Sequence, residues 1–435
     1  MAQVGALLAG SGASTLTQLV AVLTAASLGS AALLWIAFDA RLSRVSVAWV
    51  FGLAVVLRLV AVQTDPLLED DHFRYLWDGM RTAQHFNAYR LAPSAFFGDA
   101  SLSPQWQDIL SGINNPTVPT IYGPVLQALF ALAHVLAPGN IGAVQGLLLL
   151  IDLACLALLT WQRVGTRWLL VYALHPMVLK EAMASAHPDG LVALWLLLAL
   201  LLWQRKTPCL TGAMLGLAVA TKVAAVVVVP LFLFAQLRGR GDRRAATKVA
   251  FSFVLALTLI YLPFVGSGAS EAAGLTAFAT QWRFNPLLYR LIEAAVPQAL
   301  ARPATAVLIT AGIAGLVWHQ ACRKFDVFNN PGPAVASALL WLLLLSPVVN
   351  PWYGLWALGP AVAARQPSVA AWSCVSVLAY LNGAVLPQTA AWSEGTPAAF
   401  AVAWPIAGVQ LAVMLGAAGW AYFSTRKPAN AAHRK

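Results

Sequence analysis

Charged side chains are scarce in this sequence: 10% of its 435 residues, against 60% hydrophobic. Typical soluble domains carry roughly a quarter charged residues, so an ordinary globular fold is excluded. Cysteine is scarcer still. Cys155, Cys209, Cys322 and Cys374 lie in or beside apolar runs without a CxxC spacing, which argues against a disulfide framework and a thiolate zinc site. Also missing are a Walker A loop, an HExxH helix, a GxSxG elbow and a dinucleotide glycine fingerprint. Nucleotide-driven chemistry on the cytoplasmic side therefore has no sequence support. No Lys or Arg precedes the first apolar run, which argues against a cleavable signal peptide.

What is present is a succession of apolar runs, each of about 20 residues and able to cross roughly 30 Å of hydrocarbon. The expected fold is all-α: one polytopic membrane domain over residues 1–435. The net charge of +11 does not imply nucleic acid, because the basic residues punctuate the apolar runs as topology signals. Placing most Lys and Arg on one side gives about 13 crossings, with an outer N-terminus and a cytoplasmic C-terminus. The expected spans begin with Ser14–Ala37 and Val45–Val62, include Gly142–Trp161, and end with Phe400–Phe423. A basic tail, residues 424–435, follows on the cytoplasmic side.

Two runs do not fit as simple crossings. Thr120–Ala137 would invert everything downstream, so it is read as an amphipathic or re-entrant helix opened by Pro119 and Pro124. The first outer loop then covers residues 63–141, far longer than a connector. Residues 208–237 have basic residues at both ends and are read as a short helical hairpin, with Lys222 near its outer tip. A second outer loop spans residues 266–302.

Chemistry is sought first at Glu69-Asp70-Asp71, where three acids follow the end of an apolar run. Adjacent like charges raise one another's pKa, which costs free energy unless the arrangement is used. Asp70 and Asp71 suit a general base or a metal-binding pair; the plain alternative is a solvated helix start. Arg74 would face one of them a helical turn away and hold it ionised. Lys222, set among Leu, Ala and Val, either binds a lipid-linked phosphate or snorkels to headgroups.

His175, Lys180, Glu181, His187 and Asp189 form a polar cluster between two apolar runs; Lys180 and Glu181 can also simply neutralise each other. Arg283, beside Trp282 and Phe284, can hold phosphate or stack on a sugar. Asn350, Trp352 and Tyr353 form a short outer turn, either an interfacial belt or a sugar platform. Arg58 is expected to snorkel and Asp152 to bond a neighbouring helix.

Four segments carry a resemblance: EDDHFRYLWDG with FNAYRLAP, INNPTVPTIYGPVLQALF, LHPMVLKEAMASAHPDGL and LLLLSPVVNPWYGLW. Together they resemble the GT-C superfamily of polytopic glycosyltransferases, and within it the bacterial mannosyltransferase-like members. The resemblance implies a polyprenyl-phosphate sugar donor, a lipid or glycan acceptor, a mannose-like hexose and an inverting transfer at the periplasmic face of the bacterial cytoplasmic membrane. It implies Asp71 as the base, with Asp70 second. Lys222, Arg283 and Arg74 become donor-phosphate ligands. His187, Asp189, Lys180, Glu181, Tyr122, Asn350, Trp352 and Tyr353 become sugar or acceptor contacts. No cofactor is required, and a divalent metal at Asp70 and Asp71 is not favoured. The chain departs from the family pattern at Gly123, where a proline is usual, and at His175, where Asn often precedes Pro. Two other readings are a transporter or flippase of lipid-linked sugars, which should show an internal repeat, and an O-antigen ligase or polymerase.

Overall fold

A computed structural model describes residues 28–425, apart from 30, 33–34, 65, 67–68, 86, 240–241, 267, 323–329 and 382–403. The expected first span therefore lies outside the described residues up to residue 27, and the basic tail from residue 426 onward. Among the described residues the structure is helical, and an isolated bridge between Phe284 and Val348 is the one extended pairing.

In chain order the helices are α1 (Val47–Ala61), α2 (Asp71–His85), α3 (Pro104–Ser111), α4 (Pro124–Leu136), α5 (Ile141–Trp161) and α6 (Thr166–Ala173). They continue with α7 (Gly190–Gln204), α8 (Pro208–Thr221), α9 (Val229–Phe234), α10 (Arg243–Gly266), α11 (Ala272–Gln281) and α12 (Tyr289–Ala295). The last are α13 (Gln298–Cys322), α14 (Gly332–Leu345), α15 (Gly354–Ala363), α16 (Pro367–Val375) and α17 (Trp404–Thr425). Local sequence explains the starts. Ser46 and Asn140 cap α1 and α5 through side-chain oxygens that accept from the amides of Trp49 (3.2 Å) and Gly142 (2.8 Å). Prolines occupy the first turn of α3, α4, α8 and α16, where the missing N–H costs nothing.

Among the described residues, four helices are long and apolar enough to span a membrane: Ile141–Trp161, Arg243–Gly266, Gln298–His319 and Trp404–Phe423. The other apolar helices are shorter than the sequence runs suggest. The run Val45–Val62 yields a helix of 15 residues, about 22 Å long at 1.5 Å per residue. The segment before His187 is broken, with α6 ending at Ala173 and a π-helical turn covering Val178–Ala184. Thr120–Ala137 becomes helical only at Pro124.

The run through Lys222 is interrupted there by one extended residue (φ −144°, ψ 120°), followed by a 3₁₀ turn, Val223–Val228. Its two legs pack on different partners. α8 packs on α7 and α10, while the second leg packs on α13 and α14. Gly212 and Gly216 are the cause. Any Cβ at these positions would run into Val249 and Ser252, or into Ala256, of α10. The small-xxx-small spacing thus commits α8 to α10 instead of to its own continuation.

α15 forms the core: every residue from Gly354 to Val362 is buried, enclosed by α6, α7, α14 and α16. α10 is its opposite, with only Ala245, Ala246, Val249 and Phe264 buried among its residues. Arg58 does not snorkel. It is wholly buried, its Nε 2.5 Å from Asp152 and its Nη1 donating to the Ala173 carbonyl at 2.7 Å. Tyr172 donates to the other Asp152 oxygen at 2.8 Å. A guanidinium that cannot reach water is far less costly paired than alone, so the helix bonding expected of Asp152 is made with this arginine.

Three of the basic loops lie close together. Arg167 lies close enough to Asp39 to act on its charge, and Arg205 lies 5.1 Å from the Trp161 ring centre. α7 begins after Asp189 and ends before Arg205. Its length, about 22 Å, separates the basic loops from the polar cluster at its other end.

Candidate active site

α2 begins at Asp71, so Asp71 sits in the first turn, where a carboxylate is favoured. One turn on, Tyr75 lies on the same side. α2 packs along α4, and the extended residues before α4 bring Tyr122 under Asp71. The Tyr122 hydroxyl donates to Asp71 Oδ2 at 3.2 Å, and the Asn114 carboxamide donates to Oδ1 at 3.0 Å. The same amide also donates to Asp70.

Burial pushes the Glu69 carboxyl up, and the Asp71 charge adds to the effect. Asp70 is exposed and Glu69 half-buried. Carboxylate oxygens of Glu69, Asp70 and Asp71 lie within 4.8 Å of one another, and these are the side chains a cation would meet.

The loop before α7 supplies the second wall. The His187 ring is fully buried, stacked on Trp352 at 3.8 Å, with Nδ1 2.9 Å from the Tyr75 hydroxyl and 4.0 Å from Asp71 Oδ2. Burial, with Lys180 and Lys222 nearby, keeps this imidazole neutral. Its Nε2 faces Glu181 at 3.5 Å. Glu181 in turn pairs with Lys180 at 3.0 Å, and Tyr380 bridges the two. Lys180 and Glu181 thus neutralise each other, yet the pair still adjoins His187.

Lys222 closes the site. Its ammonium lies 3.8 Å from Asp189 Oδ1, with the rings of Tyr122 and Tyr353 at 4.8 and 5.7 Å. The Trp356 indole donates to Asp189 Oδ1 at 2.5 Å, and Tyr353 stacks on Trp356. Asp189 Oδ2 is buried without a hydrogen-bond partner among the described residues. A buried acceptor with an unused lone pair is costly unless a ligand donor fills it.

Asp71, His187, Asp189, Lys222, Tyr122, Trp352 and Tyr353 are therefore brought together from five distant segments. Asn350 precedes this group at the start of the Pro351–Tyr353 turn. Arg74 does not serve Asp70 or Asp71. It is buried against Asp78 at 3.0 Å and donates to the Val118 carbonyl, because the face of α2 that carries it points into α4 and its preceding loop. Arg283 pairs with Glu293 at 2.5 Å; its loop is joined to the strand-like residues before Asn350 through the Phe284 backbone. His175 lies elsewhere, held by Ser373 and the Ala370 carbonyl.

Sequence reasoning does not single out Asn114, Tyr75, Trp356 or Tyr380. Asn114 lies in the segment INNPTVPTIYGPVLQALF and carries a visible polar signal. Trp356 and Tyr380 sit in apolar runs, where an aromatic reads as membrane filler.

A family model described as alpha-(1->6)-mannopyranosyltransferase, N-terminal domain, matches residues 3–238. That span holds Asp70, Asp71, Tyr122, His187, Asp189 and Lys222 and stops before the Asn350 turn. Alpha-(1->6)-mannopyranosyltransferase A of Mycobacterium tuberculosis (strain ATCC 25618 / H37Rv) is 27% identical over 338 residues, covering 69% of this chain and 62% of that protein. The chain thus matches less than two thirds of that relative's length. With more than half of its residues under the family model, the chain belongs to the alpha-(1->6)-mannopyranosyltransferase family.

Proposed function

We propose that this protein transfers mannose from a polyprenyl-phosphate donor to a hydroxyl of a lipid-linked or free glycan, at the periplasmic face of the bacterial cytoplasmic membrane. The observation that carries the reading is the meeting of an acid and a cation from distant segments: Asp71 and Lys222, both in contact with Tyr122. Asp71 accepts the proton of the acceptor hydroxyl as that oxygen attacks the anomeric carbon. Lys222 stabilises the phosphate as it leaves with growing negative charge. Asp189 Oδ2, His187 and Trp352 line the space for the sugar. No cofactor enters the reaction as written.

The relative's name specifies an α-(1→6) mannosyl linkage. For an inverting enzyme, an α product requires a β-linked mannosyl phosphate, and a 1→6 linkage requires a primary hydroxyl as acceptor. Such a transfer needs no nucleotide at the cytoplasmic side, in keeping with the absence of nucleotide motifs. The threading with about 13 crossings, an outer N-terminus and a cytoplasmic C-terminus belongs to the same proposal.

The test is transfer in liposomes from polyprenyl-phosphate mannose to an α-mannoside, read by mass spectrometry of the product. Lys222→Ala is expected to raise the donor KM about 10- to 100-fold, the value of a hydrogen bond to a charged group. An unchanged KM would leave headgroup snorkelling as the role of Lys222. Sidedness is tested on a background without the four native cysteines. Cysteines placed at Ser101 and Arg205 should label from opposite faces of sealed vesicles, and labelling from one face would overturn the threading.

A further inference from the structure

We infer that Tyr122 is a two-ended positioning residue that couples the base to the donor-phosphate ligand: its hydroxyl holds Asp71 and its ring carries Lys222. The inference deepens the proposed function and rests on it.

The sequence reading makes Tyr122 a sugar contact. Its surroundings are those of a bracket. The side chain is 6% exposed. Tyr75 and Phe130 meet the ring edge-on, at 5.3 Å and 5.6 Å between centroids, and the Lys222 ammonium lies 4.8 Å from its centre. The hydroxyl projects past this enclosure to Asp71 Oδ2 at 3.2 Å. An aromatic ring attracts a cation through its quadrupole, while a phenol donates to a carboxylate through its edge. One side chain thus serves both groups by different physics, and a substitution can remove one service and keep the other.

The backbone makes the same connection. The Tyr122 carbonyl accepts from the Tyr89 hydroxyl at 2.8 Å, and its amide faces Thr120 Oγ1 at 3.3 Å. The next residue, Gly123, has an ordinary φ of −63°, so its backbone conformation does not demand glycine. Proximity does. A Cβ there would collide with the Ala220 carbonyl and press on that of Thr221, the two residues preceding Lys222. The residue at which this chain departs from the family's usual proline is therefore the one whose missing side chain lets the Tyr122 loop rest on the end of α8.

Mechanically, the length of a tyrosine sets the spacing between base and lysine. That spacing matters in an inverting transfer, where nucleophile and leaving group occupy opposite faces of one carbon. Lys222 is held by its ring contacts and by Asp189, short of full engagement with either, and so is free to shift toward an arriving phosphate. Asp71 keeps Asn114 as a second donor, so the loss of the Tyr122 hydroxyl loosens its position without releasing it.

The experiment is the split between kcat and donor KM for wild type, Tyr122→Phe, Tyr122→Leu and Asp71→Asn. Tyr122→Phe should lower kcat about tenfold, the value of one hydrogen bond to a charged group, with donor KM within about twofold. Tyr122→Leu should show the same kcat loss together with a donor KM raised about fivefold or more, the cation–π share. The inference is overturned by a Tyr122→Phe kcat equal to wild type, or by a donor KM that rises as much in Phe as in Leu. Should the Leu variant fail to fold, Tyr122→Phe decides the matter, since it removes one oxygen and leaves the packing. Asp71→Asn separates the two levels: an active Asp71→Asn sinks the underlying function, whereas an inactive one beside a wild-type Tyr122→Phe kcat sinks this inference alone.

Discussion

Asp71→Asn is expected to lower kcat by about 10²–10⁴-fold, the usual contribution of a positioned general base, while the donor KM stays near wild type. The amide is nearly isosteric, and its oxygen can still accept from Tyr122 or Asn114, so folding and donor binding should persist. The same measurement on Asp70→Asn should give a much smaller loss. Asp70 is exposed and meets the Asn114 amide, while Asp71 has the Tyr122 hydroxyl as well and lies next to His187. Turnover near wild type in both variants would remove the base from this loop altogether.

The second large effect concerns stability. Arg58→Met or Asp152→Asn alone is expected to destabilise the detergent-solubilised protein by about 3–5 kcal/mol, because each leaves an uncompensated charge or its empty partner in the interior. The double variant Arg58→Met/Asp152→Leu should recover most of that loss. The remaining deficit is about 1 kcal/mol each for the abandoned bond to the Ala173 carbonyl and for the Tyr172 hydroxyl that loses its acceptor. The readout is thermal unfolding followed as the folded fraction by size exclusion. Equal damage in the single and double variants would mean that packing, not charge, governs this site.

That pair also marks where sequence reasoning stops. Polar residues set against apolar context are conspicuous: Asp71, Lys222 and the His187–Asp189 segment stand out in a chain so poor in charge, and the folded chain brings all of them to one end of α7. The helical class and the break at Lys222 were legible for the same reason. Pairing was not. Arg58 and Asp152 are separated by 94 positions, and nothing in a periodicity or a composition says that two charges in different runs will meet. Arg74 had two acidic neighbours at helical spacing on either side, Asp70 and Asp78; only the start of α2 at Asp71 excludes the first. Helix length was overread because an apolar run continues through residues that break the helix, as at Ala173 and Lys222.

α7 carries a consequence of its own. It runs unbroken from the Asp189 end to Arg205 and Lys206, and its peptide dipoles add along the axis, positive at Asp189 and negative at the basic loops. The acid at one end and the bases at the other each match the backbone's sign. Hydrocarbon around such a helix holds no counter-ions to screen it. Part of the attraction that the site offers an anion is therefore written into peptide bonds, which have no proton to lose, and it should persist at any pH at which the helix does.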